Sequence, residues 1–185
     1  MMMMRPFILF FVYLLFLFFS HQGQLCVGFP GIQFIQETCN KSTQIDPVLS
    51  YDFCLTSLWA VPESHTADLR GLGFISLKLA TTNATHTKYR VRKLNHQTRD
   101  RFTKECLKTC LEVYSDAITA LKDSIKAFKY NNFEDVDTFV SATMSDAETC
   151  EDGFKEKKGL VSPLTKENTN LFQLCAMALA ITHLA

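Results

Sequence analysis

Residues 133–154 read FEDVDTFVSATMSDAETCEDGF, and apolar or half-apolar side chains fall at 133, 136, 140, 143, 147, 150 and 154. The steps alternate between three and four. That rhythm marks a helix with one buried face, and it puts Cys150 on the seam. The segment upstream, Asp100 to Phe128, keeps the same beat at Phe102, Cys106, Cys110, Val113, Ala117, Leu121 and Phe128. Between the two lies only Lys129 to Asn132, a short polar connector that forces the helices antiparallel. Cys110 stands 20 residues before a turn centred near residue 130 and Cys150 stands 20 after it. The two are level across the pair, and a Cys110–Cys150 disulfide is expected. Cys106 sits one turn further from the turn than Cys110 and is the poorer partner.

Two more amphipathic segments flank this pair. Ala67 to about Asn95 carries Leu69, Leu72, Ile75, Leu79, Thr82, His86 and Tyr89, and Lys166 to Leu184 carries Leu171, Leu174, Cys175, Ala178 and Ile181. Thr165 is the expected N-cap of the last segment, after a Ser162-Pro163 loop. The expected fold is all-α: an up-down-up-down four-helix bundle over residues 66–185. Ahead of it, residues 31–62 read as a helical hairpin. Ile32, Ile35, Gln36 and Cys39 suggest one short helix, Tyr51, Cys54, Leu55 and Leu58 another, with Asp46-Pro47 between them. Helices this short are marginal alone in water, and a Cys39–Cys54 staple is expected to hold them, worth about 3 kcal/mol on the chain-entropy model.

At the N-terminus, Arg5 is the only Lys, Arg, Asp or Glu in the first 28 residues, and Phe7 to Phe19 is an unbroken apolar run of 13. A basic start followed by a run of that length reads as a secretory signal peptide, too short to span a bilayer. Residues 1–28 are assigned to it, with cleavage after Gly23 or Gly28. The domain then occupies residues 29–185, long enough for a full core. Seven cysteines in a secreted chain read as a disulfide framework, from which Cys26 departs if the cut follows Gly28. The 19 basic and 19 acidic residues cancel. No basic surplus points to nucleic acid as a partner, and after cleavage no segment points to a membrane.

No reaction centre emerges. His65, His86, His96 and His183 are scattered without a carboxylate or Cys at metal spacing, so no metal or cofactor is expected. Asp135 and Asp137 near a helix start read as complements to its dipole. Gly71-Leu72-Gly73 follows no strand and is no nucleotide fingerprint. Cys106 and Cys110, one turn apart, lack the further ligands a metal needs. Asn40-Lys41-Ser42 and Asn83-Ala84-Thr85 are N-glycosylation sequons, giving Asn40 and Asn83 as candidate glycan sites.

At family level the chain resembles the plant invertase and pectin methylesterase inhibitors. The motifs are Tyr51-x-x-Cys54-x-x-x-Leu58, Asp68-Leu69-Arg70-Gly71-Leu72-Gly73, Cys110-x-x-x-Tyr114-x-x-Ala117, Ser141-Ala142, Thr149-Cys150-Glu151-Asp152-Gly153-Phe154 and Ala178-Leu179-Ala180-Ile181. They span nearly all of the mature chain. The resemblance implies a secreted inhibitor, not an enzyme, that blocks the active-site cleft of a plant invertase (β-fructofuranosidase), with pectin methylesterase as the alternative target. It also implies the pairs Cys39–Cys54 and Cys110–Cys150. The expected place is the apoplast or cell wall, with the vacuole as the alternative. Invertase inhibitors of this family carry Pro-Lys-Phe at the turn between the second and third bundle helices. Here Asn131, Asn132 and Phe133 stand there, and only the Phe is kept, as the expected anchor. Pectin methylesterase inhibitors use helix faces that include the segment matched here by Thr149 and Asp152. Cys106 is extra to the four-cysteine pattern, and Cys106 and Cys175 are expected as buried free thiols, or as a bridge if the fourth helix packs beside the second. A helical receptor ligand would use long crossover connections, a lipid carrier of the plant type eight cysteines, and a small hydrolase a nucleophile–base pair. None of these is present.

Overall fold

The computed structural model describes residues 30–185; the segment read as a signal peptide, with Cys26, lies outside the described residues. Six α-helices and one 3₁₀ turn follow one another: α1 (Pro30–Ile45), α2 (Tyr51–Trp59), the 3₁₀ turn (Pro62–His65), α3 (Leu69–Gln97), α4 (Arg101–Lys129), α5 (Phe133–Lys155) and α6 (Thr165–Leu184). No strand occurs among the described residues. Helices α3 to α6 form the four-helix bundle, in which each packs on its chain neighbour and α6 closes the ring against α3.

Local chemistry explains the ends. Asp68 caps α3 by accepting from the Gly71 N–H at 2.7 Å, and Asp100 caps α4 through Thr103 at 2.8 Å. Each side chain satisfies a backbone donor that the helix itself leaves free, an arrangement worth about 1 kcal/mol. Thr165 is not the cap of α6, as the sequence suggested, but its first residue. Its hydroxyl donates to Glu151 Oε1 at 2.7 Å and to the Ser162 carbonyl at 3.1 Å, while Ser162 Oγ accepts from the Leu164 N–H.

The largest departure lies in α3. Beyond Leu72 its buried side runs through Gly73, Ser76, Leu77, Ala80, Ala84, Thr87 and Val91. Thr82, His86 and Tyr89, placed on the seam from the sequence, face solvent, and Tyr89 is 70% exposed. Small and hydroxylated residues make this seam, so apolarity does not betray it. Ser76 Oγ returns its proton to the Leu72 carbonyl at 2.8 Å, which lets a hydroxyl be buried at little cost. Gly73 admits the Phe128 ring, whose edge would lie 3.1 Å from any Cβ added there.

The hairpin α1–α2 is joined by Cys39–Cys54, with Cα atoms 5.8 Å apart, and packs mainly on α6. Gln173 clamps its loop, accepting from the Ser50 N–H at 2.8 Å and donating to the Val48 carbonyl at 2.7 Å. Helices α4 and α5 are joined by Cys110–Cys150, Cα atoms 4.7 Å apart. Cys106 and Cys175 are both free and buried. The fourth bundle helix packs beside the first and third, not the second. That arrangement removes the Cys106–Cys175 bridge, because the two thiols sit on helices that face each other only across the core.

Candidate target-binding surfaces

The turn between α4 and α5 is built by its backbone. Asn131 adopts φ of 60°, a left-handed conformation that asparagine tolerates better than most residues. The Asn132 N–H then reaches the Ala127 carbonyl at 3.0 Å and the Asn131 N–H reaches that of Phe128 at 3.2 Å. Those paired bonds close the helix in a Schellman motif. Arg70, from the start of α3, donates to the Asn131 side-chain oxygen and to the Phe128 carbonyl at 2.9 Å, and its guanidinium lies 5.1 Å from the Phe128 ring centre. Asn132 caps α5, accepting from the Asp135 N–H and donating to the Asp135 carboxylate at 2.6 Å. Asn131 and Asn132 therefore shape the turn while remaining exposed.

Phe133 is half-buried and meets the Phe128 ring edge-on, centroids 5.8 Å apart. It forms the last layer of the core. The aromatic that projects from this turn is Tyr130, 85% exposed. Periodicity reasoning passed over it because it belongs to no stripe. The available signal was a lone aromatic inside the polar connector Lys129–Asn132.

Thr149 and Asp152 are exposed on α5 and line one groove between α4 and α5 with Phe102, Glu105, Thr109 and Glu156. Asp152 is paired with Lys155 at 2.7 Å. Cys106 forms part of the groove floor, its thiol donating to the Gly153 carbonyl at 3.3 Å. Burial, reinforced by the Glu156 carboxylate, pushes the Cys106 thiol above the usual range, and burial pushes Cys175 up much further. Both are kept as thiols and so are poor nucleophiles. From Phe133 to Thr149 is 16 residues of continuous helix, about 24 Å at the standard rise. The turn and the groove are thus two separate surfaces near opposite ends of α5.

Of the two sequon asparagines, Asn40 is exposed on α1, whereas Asn83 is half-buried with its Oδ1 enclosed and unpartnered. One pairing escaped the sequence: His183 Nε2 lies 2.9 Å from both Asp137 oxygens, tying the end of α6 to the start of α5. Among the described residues no three His, Cys, Asp or Glu side chains gather as a metal site would require.

The described residues thus form a disulfide-stapled helical bundle that presents an exposed turn and a grooved helix face. Residues 33–181 match the family described as plant invertase/pectin methylesterase inhibitor, and the chain belongs to that family. Its members are inhibitors, and this protein is an inhibitor rather than an enzyme. A Platanus acerifolia protein named "Putative invertase inhibitor" is 44% identical over 81% of this chain and 84% of its own length. An Actinidia deliciosa "Pectinesterase inhibitor" is 31% identical over 81% of this chain and 78% of its own. The crystal structure of mutant form A of an Arabidopsis pectin methylesterase inhibitor has a TM-score of 0.69, covering 80% of this chain and 95% of that one; at 23% identity this is a likeness of fold alone.

Proposed function

We propose that this protein blocks the active-site cleft of a plant invertase, with the turn between α4 and α5 as the inserting element. The observation that carries the reading is Tyr130: 85% exposed, on a turn held by paired backbone bonds and by Arg70. A held backbone presents this aromatic so that docking need order only one side chain, and tyrosines buried at the centre of an interface are frequent hot spots. The 44% identity to a relative named as an invertase inhibitor points the same way. Phe133, expected from the sequence as the anchor, packs edge-on against Phe128 at the base of the same turn. The N-terminal apolar segment reads as a secretory signal, and we place the inhibitor in the cell wall, as the name of an Arabidopsis relative, "Cell wall / vacuolar inhibitor of fructosidase 2", suggests.

The Thr149–Asp152 groove favours a second reading, inhibition of pectin methylesterase, since two exposed polar groups there flank a concave surface. Inhibition constants of Tyr130→Ala and Thr149→Ala against both purified enzymes separate the readings. With invertase as target, Tyr130→Ala weakens inhibition about 30-fold, the equivalent of about 2 kcal/mol, with an unchanged melting temperature. A large loss in Thr149→Ala against pectin methylesterase, with Tyr130→Ala neutral, selects the second reading. Two neutral variants reject both surfaces.

A further inference from the structure

The zero net charge of the chain conceals a segregation. Helix α3 has six Lys and Arg among its 29 residues and not one Asp or Glu, a net +6. Helix α5 has seven acids against Lys155, a net −6. The two stand at opposite corners of the bundle, each packed on α4 and α6. With neighbouring axes 8–10 Å apart, the diagonal is roughly 14 Å, beyond the screening length of about 8 Å at physiological salt. The two fields do not cancel at the surface of either helix.

The cations concentrate in the second half of α3. Lys88, Arg92 and Lys93 point outward around Tyr89, and Lys108 of α4 faces Lys88 and Arg92 across a groove in which Glu112 is the one acid. Among the described residues no ion pair engages Lys88, Arg92, Lys93 or Lys104, whereas Arg90 is paired with Glu167 at 3.0 Å and Lys108 with Glu105 at 2.8 Å. The result is an open strip rather than a pocket, with an aromatic ring 70% exposed at its centre.

We propose that this face of α3 binds a polyuronate, an extended polysaccharide carrying a free carboxylate on each sugar, such as de-esterified pectin. A strip of cations spaced by helical turns of about 5.4 Å matches repeated charges along a polymer better than one compact anion. Arg92 offers the planar fork that carboxylates accept, and the Tyr89 ring offers an apolar face for the C–H side of a sugar. No apolar wedge accompanies the cations, as insertion into a lipid surface would need. The proposal rests on the wall placement above and not on which enzyme is inhibited.

Retention of the purified protein on immobilised polygalacturonate, against highly methyl-esterified pectin, tests it directly. The esterified polymer keeps the sugars and loses the carboxylates. Binding is expected to the first only, and to fall at least tenfold between 20 and 200 mM NaCl. Lys88→Gln/Arg92→Gln/Lys93→Gln should lose at least tenfold in affinity, and Tyr89→Ala about threefold. Lys41→Gln/Lys122→Gln/Lys155→Gln, with the same change in net charge elsewhere, should stay within twofold of the parent. All these positions are exposed or half-buried, and melting curves verify folding of each variant. Equal binding to both pectins, or an α3 triple variant that binds like the parent, overturns the proposal. So does tighter binding to duplex DNA or to phosphatidylserine vesicles than to polygalacturonate. A salt-sensitive dimer that the α3 triple abolishes, without polygalacturonate binding, assigns the strip to the α5 face of a second copy instead.

Discussion

The Tyr114 hydroxyl, buried on α4, donates a 2.8 Å hydrogen bond to Oδ1 of Asn168 on α6, joining two helices that face each other across the bundle. Asn168 passes the connection on, its Nδ2 donating to Glu151 of α5 at 2.7 Å. Burial pushes the Tyr114 phenol well above its ordinary range, so it is a donor at every physiological pH. Helices that slid by one turn would leave these groups unpaired in the core, and the network therefore fixes their register.

Tyr114→Phe removes the donor and leaves the Asn168 oxygen enclosed. The expected cost is about 1–3 kcal/mol, seen as a lower urea midpoint at unchanged slope, or a fall in melting temperature of about 2–4 °C per kcal/mol. A variant as stable as the parent would mean that the bond contributes nothing net.

Loss of the Cys110–Cys150 bridge in Cys150→Ser should cost about 2–5 kcal/mol, because it frees a loop with a sequence separation of 40 residues in the unfolded chain. Cys106→Ser should cost only about 1 kcal/mol, the loss of a small buried thiol. Equal losses in thermal melts, or a Cys106–Cys150 peptide as the dominant species on non-reducing mapping, would contradict the observed pairing.

Asp146 supplies a pH dependence. Burial first, and then the Asp116 carboxylate, raise its pKa from 3.8 to about 6. The folded state therefore holds this proton more tightly than the unfolded chain. The group's stabilising contribution is complete below pH 3.8 and is lost as pH rises through about 6. Because the side chain is half exposed, solvent screening reduces the effect to about 1 kcal/mol. Asp146→Asn should match the parent near pH 4 and exceed its stability near pH 7. Parallel stability–pH curves for the two proteins would exclude this carboxyl as a source of the dependence.

Two glycines should respond in opposite directions to alanine. A Cβ on Gly153 in α5 would meet nothing within 4 Å, so Gly153→Ala gains helix propensity, about 0.5–1 kcal/mol. A Cβ on Gly31 would fall 2.1 Å from the His65 carbonyl oxygen, and Gly31→Ala must push the hairpin off the 3₁₀ turn. Its melting temperature should fall while that of Gly153→Ala rises. A rise in both would show that propensity, not contact, governs Gly31, and a fall in both would show that Gly153 is constrained by more than its open surroundings.

Much of the fold was legible because it is written in short-range periodicity. The stripe at Val136, Val140, Thr143, Ala147, Cys150 and Phe154 is the observed buried face of α5. Counting from a four-residue connector was enough to level Cys110 with Cys150, since antiparallel helices rise by the same increment per residue. On α3 the reading held at Leu72 and at the partly buried Leu69, Ile75 and Leu79, and failed at Thr82, His86 and Tyr89, because the buried Ser76 and Thr87 carry no apolar signal. Of the residues proposed for target binding, Asn131, Asn132, Thr149 and Asp152 are exposed and Phe133 is half-buried, while the exposed Tyr130 belongs to no stripe and so carries no periodic signal.

By itself the sequence determined the helices, their antiparallel order, the cysteine pairs and the family, all of which rest on local pattern or on motifs along the chain. Tertiary structure alone decided that α6 lies beside α3 and α5, that Cys106 and Cys175 stay apart, and that Tyr114 meets Asn168. It also decided that Phe133 packs inward while Tyr130 points out. Each of these depends on which surfaces close against one another across tens of residues, and no periodicity within a single helix encodes that choice.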